Sequence, residues 1–125
     1  MQSYQPSKML RVYFSESDRF DGKPLYEAIV DQCRKLNIAG ATVFRGLEGY
    51  GDTAEIHRQH VLTHDLPIMV TIVDAAENLE RLLPEIESMI GDGLVVTSDV
   101  ETRRVHRSSA DRETASDQGT DRMIP

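Results

Sequence analysis

Apolar and polar residues alternate near the start of the chain. Leu10, Val12 and Phe14 are separated by Arg11 and Tyr13, which is the period of a strand that buries one face. A polar stretch, 16–22, follows before the next apolar pattern begins. The first regular element is therefore predicted to be a β-strand.

Two later segments carry apolar residues at helical spacing. The first begins near Pro24, which suits the first turn of a helix, and its apolar stripe consists of Leu25, Ile29, Cys33 and Leu36. The second begins after Asp74, a candidate cap with Glu77 three residues on in capping-box spacing, and runs to about Ile90. Its predicted buried face is Leu79, Leu82, Leu83, Ile86, Met89 and Ile90.

Three further apolar runs predict strands at 41–46, 66–73 and 94–105. The resulting order is βαββαβ, the split-βαβ or ferredoxin-like pattern. The fold class is therefore predicted to be α+β, with both helices on one face of a four-stranded antiparallel sheet.

Composition divides the chain into three parts. Residues 107–125 hold many Ser, Thr, Asp and Arg and few apolar residues, and so predict a disordered tail. Residues 1–8 are predicted to be a flexible arm and 9–106 the folded domain. Within that domain, 47–65 is a long polar connection. Ile56, His60 and Val61 are near helical spacing, which predicts some helix in it.

The third strand is apolar on both faces. Met69 and Val73 lie opposite an apolar set that consists of Leu66, Ile68, Val70 and Ile72. Helices can cover only one face of a sheet whose strands alternate in this way. Another subunit is the simplest cover for the second face, which predicts an oligomer.

Charge and composition exclude several classes of function. The formal net charge is −7 and no basic stripe is present, so nucleic-acid binding is not expected. No apolar stretch is long enough to span a bilayer and no signal sequence is seen at the start, which together predict a cytoplasmic protein without membrane insertion. The one cysteine, Cys33, is predicted to be a buried structural thiol.

Two glycine-rich motifs are specific enough to indicate a protein family. Residues 38–43 (IAGATV) with Gly49-Tyr50-Gly51, and Ile90-Gly91-Asp92-Gly93, resemble motifs of the PII signal transducers. The stretches LRVYFSESDRFDGKPLYEAIV, IAGATVFRGLEGYG, DLPIMVTIVD and ERLLPEIE resemble domain-of-unknown-function family 190, which is PII-like. The resemblance covers about 9–105.

The resemblance implies a homotrimer with ligand clefts between subunits, where PII proteins hold adenine nucleotides. It also implies that 47–65 corresponds to the loop through which PII proteins contact a regulatory target, here a channel, a transporter or an enzyme. The predicted ligand-binding residues are Arg45, Gly46, Gly49, Tyr50, Gly51, Gly91, Asp92, Gly93, Arg103 and Arg107. Arg45 and Arg103 are included as cations that can bind phosphate, and Arg103 is out of register with the late arginines of PII proteins. No catalytic residue is predicted, because Glu16 and Asp18 are read as polar loop residues.

The sequence departs from classical PII proteins at the phosphate-binding positions. Leu94 replaces the lysine after G-D-G, and Val105 falls where the first late arginine is expected, while the second falls on Arg107. AMP, ADP, a cyclic nucleotide or another small anion is therefore a better expectation than ATP. Two alternatives stay open: a CutA-like metal-binding trimer that uses His57, His60 and His64, and a scaffolding trimer without a small ligand.

Overall fold

The computed structural model describes residues 5–50, 56–58 and 65–106, and the expected βαββαβ order is confirmed in them. Two short hairpins are added to it. The elements in chain order are β1 (Gln5–Ser15), β2 (Arg19–Phe20), β3 (Lys23–Pro24), α1 (Leu25–Lys35), β4 (Ala41–Arg45), β5 (Glu48–Tyr50), β6 (Ile56–Arg58), β7 (Pro67–Asp74), α2 (Ala76–Met89) and β8 (Leu94–Thr102).

The four long strands form one antiparallel sheet in the order β4-β7-β1-β8. This is the ferredoxin-like arrangement, in which the first and third long strands are central and the other two form the edges. The edges differ in length, because β4 has five residues and β8 has nine.

The core lies between the sheet and the two helices. Leu10 and Val12 of β1 and Val70 and Ile72 of β7 point to the helices and are at most 1% exposed. The helical stripes meet them with Leu25, Ile29, Cys33, Leu79, Leu82 and Ile86. Burial raises the pKa of Cys33 to about 11, which keeps this thiol protonated and agrees with its predicted structural role.

The opposite sheet face has no cover within the described residues. Leu94, Tyr13, Met69 and Phe44 pair across the four strands and share this face. Phe44 is 49% exposed and Leu94 is 58% exposed. The neighbouring row contains Thr71, whose Oγ1 is buried without a hydrogen-bond partner in the described part of the chain. We call this surface the open face.

The observed boundaries correct three expectations. β1 begins at Gln5 rather than near Met9, because Gln5 pairs with Thr102 and extends the ladder to β8. Residues 19–24 form a hairpin, since Asp21 and Gly22 adopt the positive φ angles that tight turns require. Ile56–Arg58 is a strand paired with β5 and not a helix. Residues 1–4 and 107–125 lie outside the described residues.

Asp74 joins the start of α2 to the loop before β4, although it is not the helix cap. The N-cap is Ala75 and it has no side-chain cap; Asp74 is still held in the β7 ladder opposite Lys8. Its carboxylate accepts hydrogen bonds from the amides of Ala39 (2.9 Å) and Ala75 (2.6 Å) and from Asn78 Nδ2 (3.0 Å). Partial burial opposes ionisation, but these bonds outweigh it and lower the pKa of Asp74.

We expect Asp74→Asn to reduce the free energy of unfolding by about 1–2 kcal/mol at neutral pH, because a charged acceptor of three hydrogen bonds is lost. Since the folded-state pKa is depressed, this contribution is present above the ordinary value of 3.8 and disappears as pH falls through the lower folded-state value. Urea unfolding at fixed protein concentration, at neutral and acidic pH, measures it.

The matched control is Asp99→Asn, which removes an exposed carboxylate that pairs with Lys8 at 2.6 Å. An exposed ion pair contributes little to stability, so this variant should unfold closer to the wild type. Equal effects of the two substitutions at neutral pH would contradict the role assigned to Asp74.

Candidate functional site

The two loops singled out by the glycine motifs lie at the same end of the sheet. Arg45 ends β4 opposite Ile68, and Tyr13 of β1 pairs with Leu94, which directly follows the G-D-G turn. The loops stand on opposite edges, however, with β7 and β1 between them. Three interstrand spacings of about 4.8 Å separate them by roughly 14 Å. We call this the loop end of the sheet.

Arg103 lies at the other end of the sheet. It follows Thr102, which pairs with Gln5 at the beginning of β1. β8 has nine residues, and at the usual rise of about 3.4 Å per residue its ends are roughly 27 Å apart. One protomer therefore does not bring Arg103 to the loop end. Arg107 lies outside the described residues.

Gly46 and Gly49 pack against Pro67, which begins β7. A Cβ atom on Gly46 would lie 2.9 Å from Pro67 Cγ, and one on Gly49 would lie 3.3 Å from the same atom. The Gly46 amide donates to the Pro67 carbonyl at 2.8 Å, so it is not available to an anion. The structure thus explains these two glycines by close backbone packing, and Gly46 loses the phosphate-binding role suggested by the motif.

The G-D-G turn contains one tightly packed glycine and one open glycine. A Cβ on Gly93 would lie 2.7 Å from the Tyr13 carbonyl oxygen, whereas nothing lies within 4 Å of a Cβ on Gly91. Within the described residues, the amides of Gly91 and Asp92 donate no hydrogen bond to the chain. Both residues are exposed, so these two amides are available to a ligand.

Electrostatics limit what those amides can bind. The turn follows the C-terminal end of α2, where the helix dipole is negative, and Asp92 adds a carboxylate. Arg45 is the cation of the 45–50 loop, and its side chain is 60% exposed. A phosphate group at this end therefore needs Arg45, or a cation from another protomer, to balance the local negative potential.

Arg45 already has an acidic partner, which the sequence did not reveal. Its Nε lies 3.6 Å from Glu16 Oε2, and Glu16 belongs to the loop after β1. The two residues are 29 positions apart, and no spacing rule connects them. Asp18, the other member of that acidic pair, accepts a hydrogen bond from the Ser15 amide at 3.1 Å, as a turn residue does.

The remaining predicted site residues add little to the candidate site. Tyr50 is 76% exposed and ends β5, and Gly51 lies outside the described residues. His57 lies on β6 opposite Gly49, while His60 and His64 are also outside the described part. Among the residues that are described, no group of three potential metal ligands occurs.

A separate cleft of about 490 Å³ lies at the Arg103 end of the sheet, away from the glycine loops. Its lining is Pro6, Ser7, Lys8, Ala76, Asp99, Val100 and Glu101. Lys8 and Asp99 neutralise each other there at 2.6 Å. The cleft offers no cation without a partner, so we assign the candidate site to the loop end. Neither helix in the described ranges is long and apolar enough to cross a bilayer.

Comparisons with known proteins agree with this fold. Residues 7–102 match the family DUF190, described as "Uncharacterized ACR". A UPF0166 protein of Aquifex aeolicus (strain VF5) is 41% identical over 96 residues, which cover 75% of this chain and 90% of the relative. These matches confirm the family resemblance drawn from the sequence.

Two solved structures share the fold. CPII, a nitrogen regulatory PII-like protein from Thiomonas intermedia K12, has been solved bound to ADP, AMP and bicarbonate; the TM-score is 0.61 at 21% identity, with 82% of this chain and 92% of CPII covered. The divalent ion tolerance protein CutA1 from Ehrlichia chaffeensis gives a TM-score of 0.52 at 12% identity, with 89% and 92% covered. At these identities the likeness shows the fold.

Proposed function

The chain belongs to the DUF190 family, and we propose that it is a PII-like regulatory protein that binds an adenine nucleotide between the subunits of a homotrimer. The observation that carries this proposal is the open face. An apolar sheet surface of this kind marks a contact with another chain, and that contact creates the cleft in which the separated ligand-binding residues can meet.

The open face has both the composition and the unsatisfied polarity of a subunit interface. Phe44 and Leu94 stand at its two edges and are about half exposed. Between them the buried hydroxyl of Thr71 has no partner in the described residues, and a buried polar group without a hydrogen bond is costly. A facing subunit covers the apolar edges.

Trimer formation also resolves the separation of the candidate ligand contacts. Gly91 and Arg45 are at the loop end, and Arg103 is roughly 27 Å away along β8. In our proposal, the ligand lies between the loop end of one protomer and Arg103 of the next. The adenine and ribose then contact the Gly91-Asp92 amides, while the arginines bind the phosphates in bidentate fashion.

CPII supplies the ligand class, because it was solved with ADP, AMP and bicarbonate. The loop end of this chain has Arg45 but has Leu94 where classical PII proteins have lysine. Fewer cations favour one or two phosphates over three. We therefore propose AMP or ADP as the ligand, with segment 47–65 as the part that contacts a regulatory target when the ligand changes.

A thermal-shift panel tests this function directly. AMP, ADP, ATP, cyclic AMP, bicarbonate, inorganic phosphate and Zn²⁺ are each titrated against the full chain. A ligand that binds only the folded state stabilises it by about 2.7 kcal/mol at a hundredfold excess over its dissociation constant. We expect a dose-dependent rise in melting temperature with ADP or AMP that is smaller with ATP.

The other outcomes of the panel separate the alternatives. A shift with Zn²⁺ alone would favour the CutA-like metal-binding trimer, which the likeness to CutA1 makes the second candidate. No shift with any compound would contradict the proposed function and favour a scaffolding trimer.

A further inference from the structure

Glu16 contacts both ends of the segment that leaves the sheet after β4 and returns at β7. One carboxylate oxygen, Oε2, lies 3.6 Å from Arg45 Nε at the outgoing end. The other, Oε1, accepts a hydrogen bond from the Leu66 amide, 3.5 Å away, at the returning end. The Glu16 side chain is 19% exposed, so its carboxylate lies in a partly desolvated position between the two ends.

The two side-chain contacts of Glu16 are long, whereas its backbone contact is short. The Glu16 amide donates to the Leu66 carbonyl at 2.8 Å, which fixes the loop after β1 against the start of β7. Hydrogen bonds and ion pairs at 3.5–3.6 Å are weak. The carboxylate can therefore change partners at little cost while the backbone around it stays in place.

The next residue strengthens the same backbone anchor. Ser17 donates from its hydroxyl to Asp65 Oδ1 at 2.9 Å, and its amide points to the same oxygen at 3.4 Å. Residues 16 and 17 thus hold the returning end through 65 and 66 even without the Glu16 carboxylate. The Glu16 carboxylate is not needed for this anchor, so it is available to pair with Arg45.

We propose that Glu16 is a built-in competitor for Arg45. Its carboxylate occupies the guanidinium in the ligand-free protein, and an anionic ligand has to displace it in order to bind Arg45. Glu16 therefore lowers the affinity for phosphorylated ligands, which need Arg45, and leaves the affinity for neutral ligands unchanged; Arg45 changes partner when the ligand arrives. This inference rests on the proposed nucleotide-binding function and assigns the residue that limits its affinity for phosphate.

The exchange also links the site to the returning end of the segment. When the ligand takes Arg45, Glu16 loses its cationic partner at the outgoing end and keeps the Leu66 amide at the other. The carboxylate is then held by one end instead of both. Ligand binding thus changes the contacts that join the two ends of the segment. A regulatory loop requires such a ligand-dependent change of contacts.

Titration calorimetry with two probes, ADP and adenosine, tests the competition in the full chain. Glu16→Gln keeps an oxygen that accepts from Leu66 but removes the charge that holds Arg45. We expect this variant to bind ADP about fivefold more tightly than the wild type, the scale of one partly exposed ion pair. The affinity for adenosine, which has no phosphate, should be unchanged.

Two further variants test whether the effect depends on the Glu16–Arg45 pair. In the background Arg45→Gln, adding Glu16→Gln should no longer tighten ADP binding, because the contested guanidinium is gone. Asp21→Asn removes the same charge at the tip of the β2–β3 hairpin, where the positive φ of 55° suits asparagine. It should leave ADP affinity at the wild-type value.

The outcomes separate this inference from the function on which it rests. If the wild type binds ADP and Glu16→Gln binds it equally or more weakly, the competition is refuted and the nucleotide-binding function stands. A tightening that persists without Arg45, or that Asp21→Asn reproduces, also refutes it. If neither the wild type nor Glu16→Gln binds ADP, both the inference and the proposed function fail.

Discussion

Replacing Phe44 by glutamate is expected to dissociate the proposed trimer into monomers. Phe44 is 49% exposed on one protomer and pairs with Met69 in the row that crosses the open face. Burying a phenylalanine side chain contributes about 1.5–3 kcal/mol, and a trimer buries three copies. The glutamate removes that gain and places an unpaired charge in the interface, which is more costly still.

Light scattering coupled to size-exclusion chromatography measures this effect. The wild type should have three times the 14.1 kDa mass of one chain, and Phe44→Glu should have the mass of one chain. The matched control is Phe20→Glu, since Phe20 is also exposed but lies on the β2–β3 hairpin, away from the open face. A wild-type monomer, or a Phe44→Glu variant that remains trimeric, would contradict the interface assigned to the open face.

The main features of the fold could be predicted from the sequence because burial imposes a period on it. The alternation at Leu10, Val12 and Phe14 and the stripe at Leu79, Leu82 and Ile86 locate elements that the structure confirms. Their order leaves few topologies, since short connections and helices on one face define the ferredoxin-like sheet. The apolar residues on the second face of β7 likewise predicted a sheet face that the two helices do not cover.

Local geometry was predicted less well, for identifiable reasons. The β2–β3 hairpin carries its signal in Asp21-Gly22, a pair typical of tight turns, but the strands beside it are only two residues long. Such short strands show no alternation. β1 extends to Gln5 because the edge strand β8 is long enough to pair with it, and a strand's partner cannot be read from its own residues.

The candidate site was the least predictable part. Glycine motifs mark positions where the backbone packs closely, but they do not identify the atoms against which it packs. Gly46 and Gly93 are close to Pro67 and to the Tyr13 carbonyl rather than open to a ligand, and Gly91 alone has free space in the G-D-G turn. The Glu16–Arg45 pair joins residues that are distant in sequence, so only the folded chain shows it.

Gly91 and Arg103 provide the second prediction with a large effect. Gly91→Leu fills the open space above the free amides without meeting any atom within 4 Å of its Cβ, so it should block ADP and leave the fold intact. Arg103→Gln removes the cation that the proposed site takes from the opposite end of the sheet. We expect each variant alone to remain trimeric and to lose ADP affinity by at least about tenfold, the cost of one charged hydrogen bond.

Gly40→Leu is the matched control for the glycine substitution. Gly40 also has nothing within 4 Å of a Cβ, but it precedes β4 and so lies at the end opposite Arg45. It is also on the opposite edge of the sheet from β8, which leads to Arg103. Its replacement should leave ADP affinity unchanged. Loss of binding in this control would mean that added bulk on the surface, and not occupation of the G-D-G turn, is responsible.

A nucleotide site shared between subunits is tested most directly by combining the Gly91→Leu and Arg103→Gln protomers in one trimer. Gly91→Leu and Arg103→Gln chains are co-expressed with different affinity tags, and trimers that contain both are purified through both tags and titrated with ADP. A site built from Gly91 of one protomer and Arg103 of the next is intact once in every mixed trimer. A shared site therefore gives one ADP per mixed trimer at wild-type affinity, whereas mixed trimers without restored binding would mean that the site is not shared between subunits.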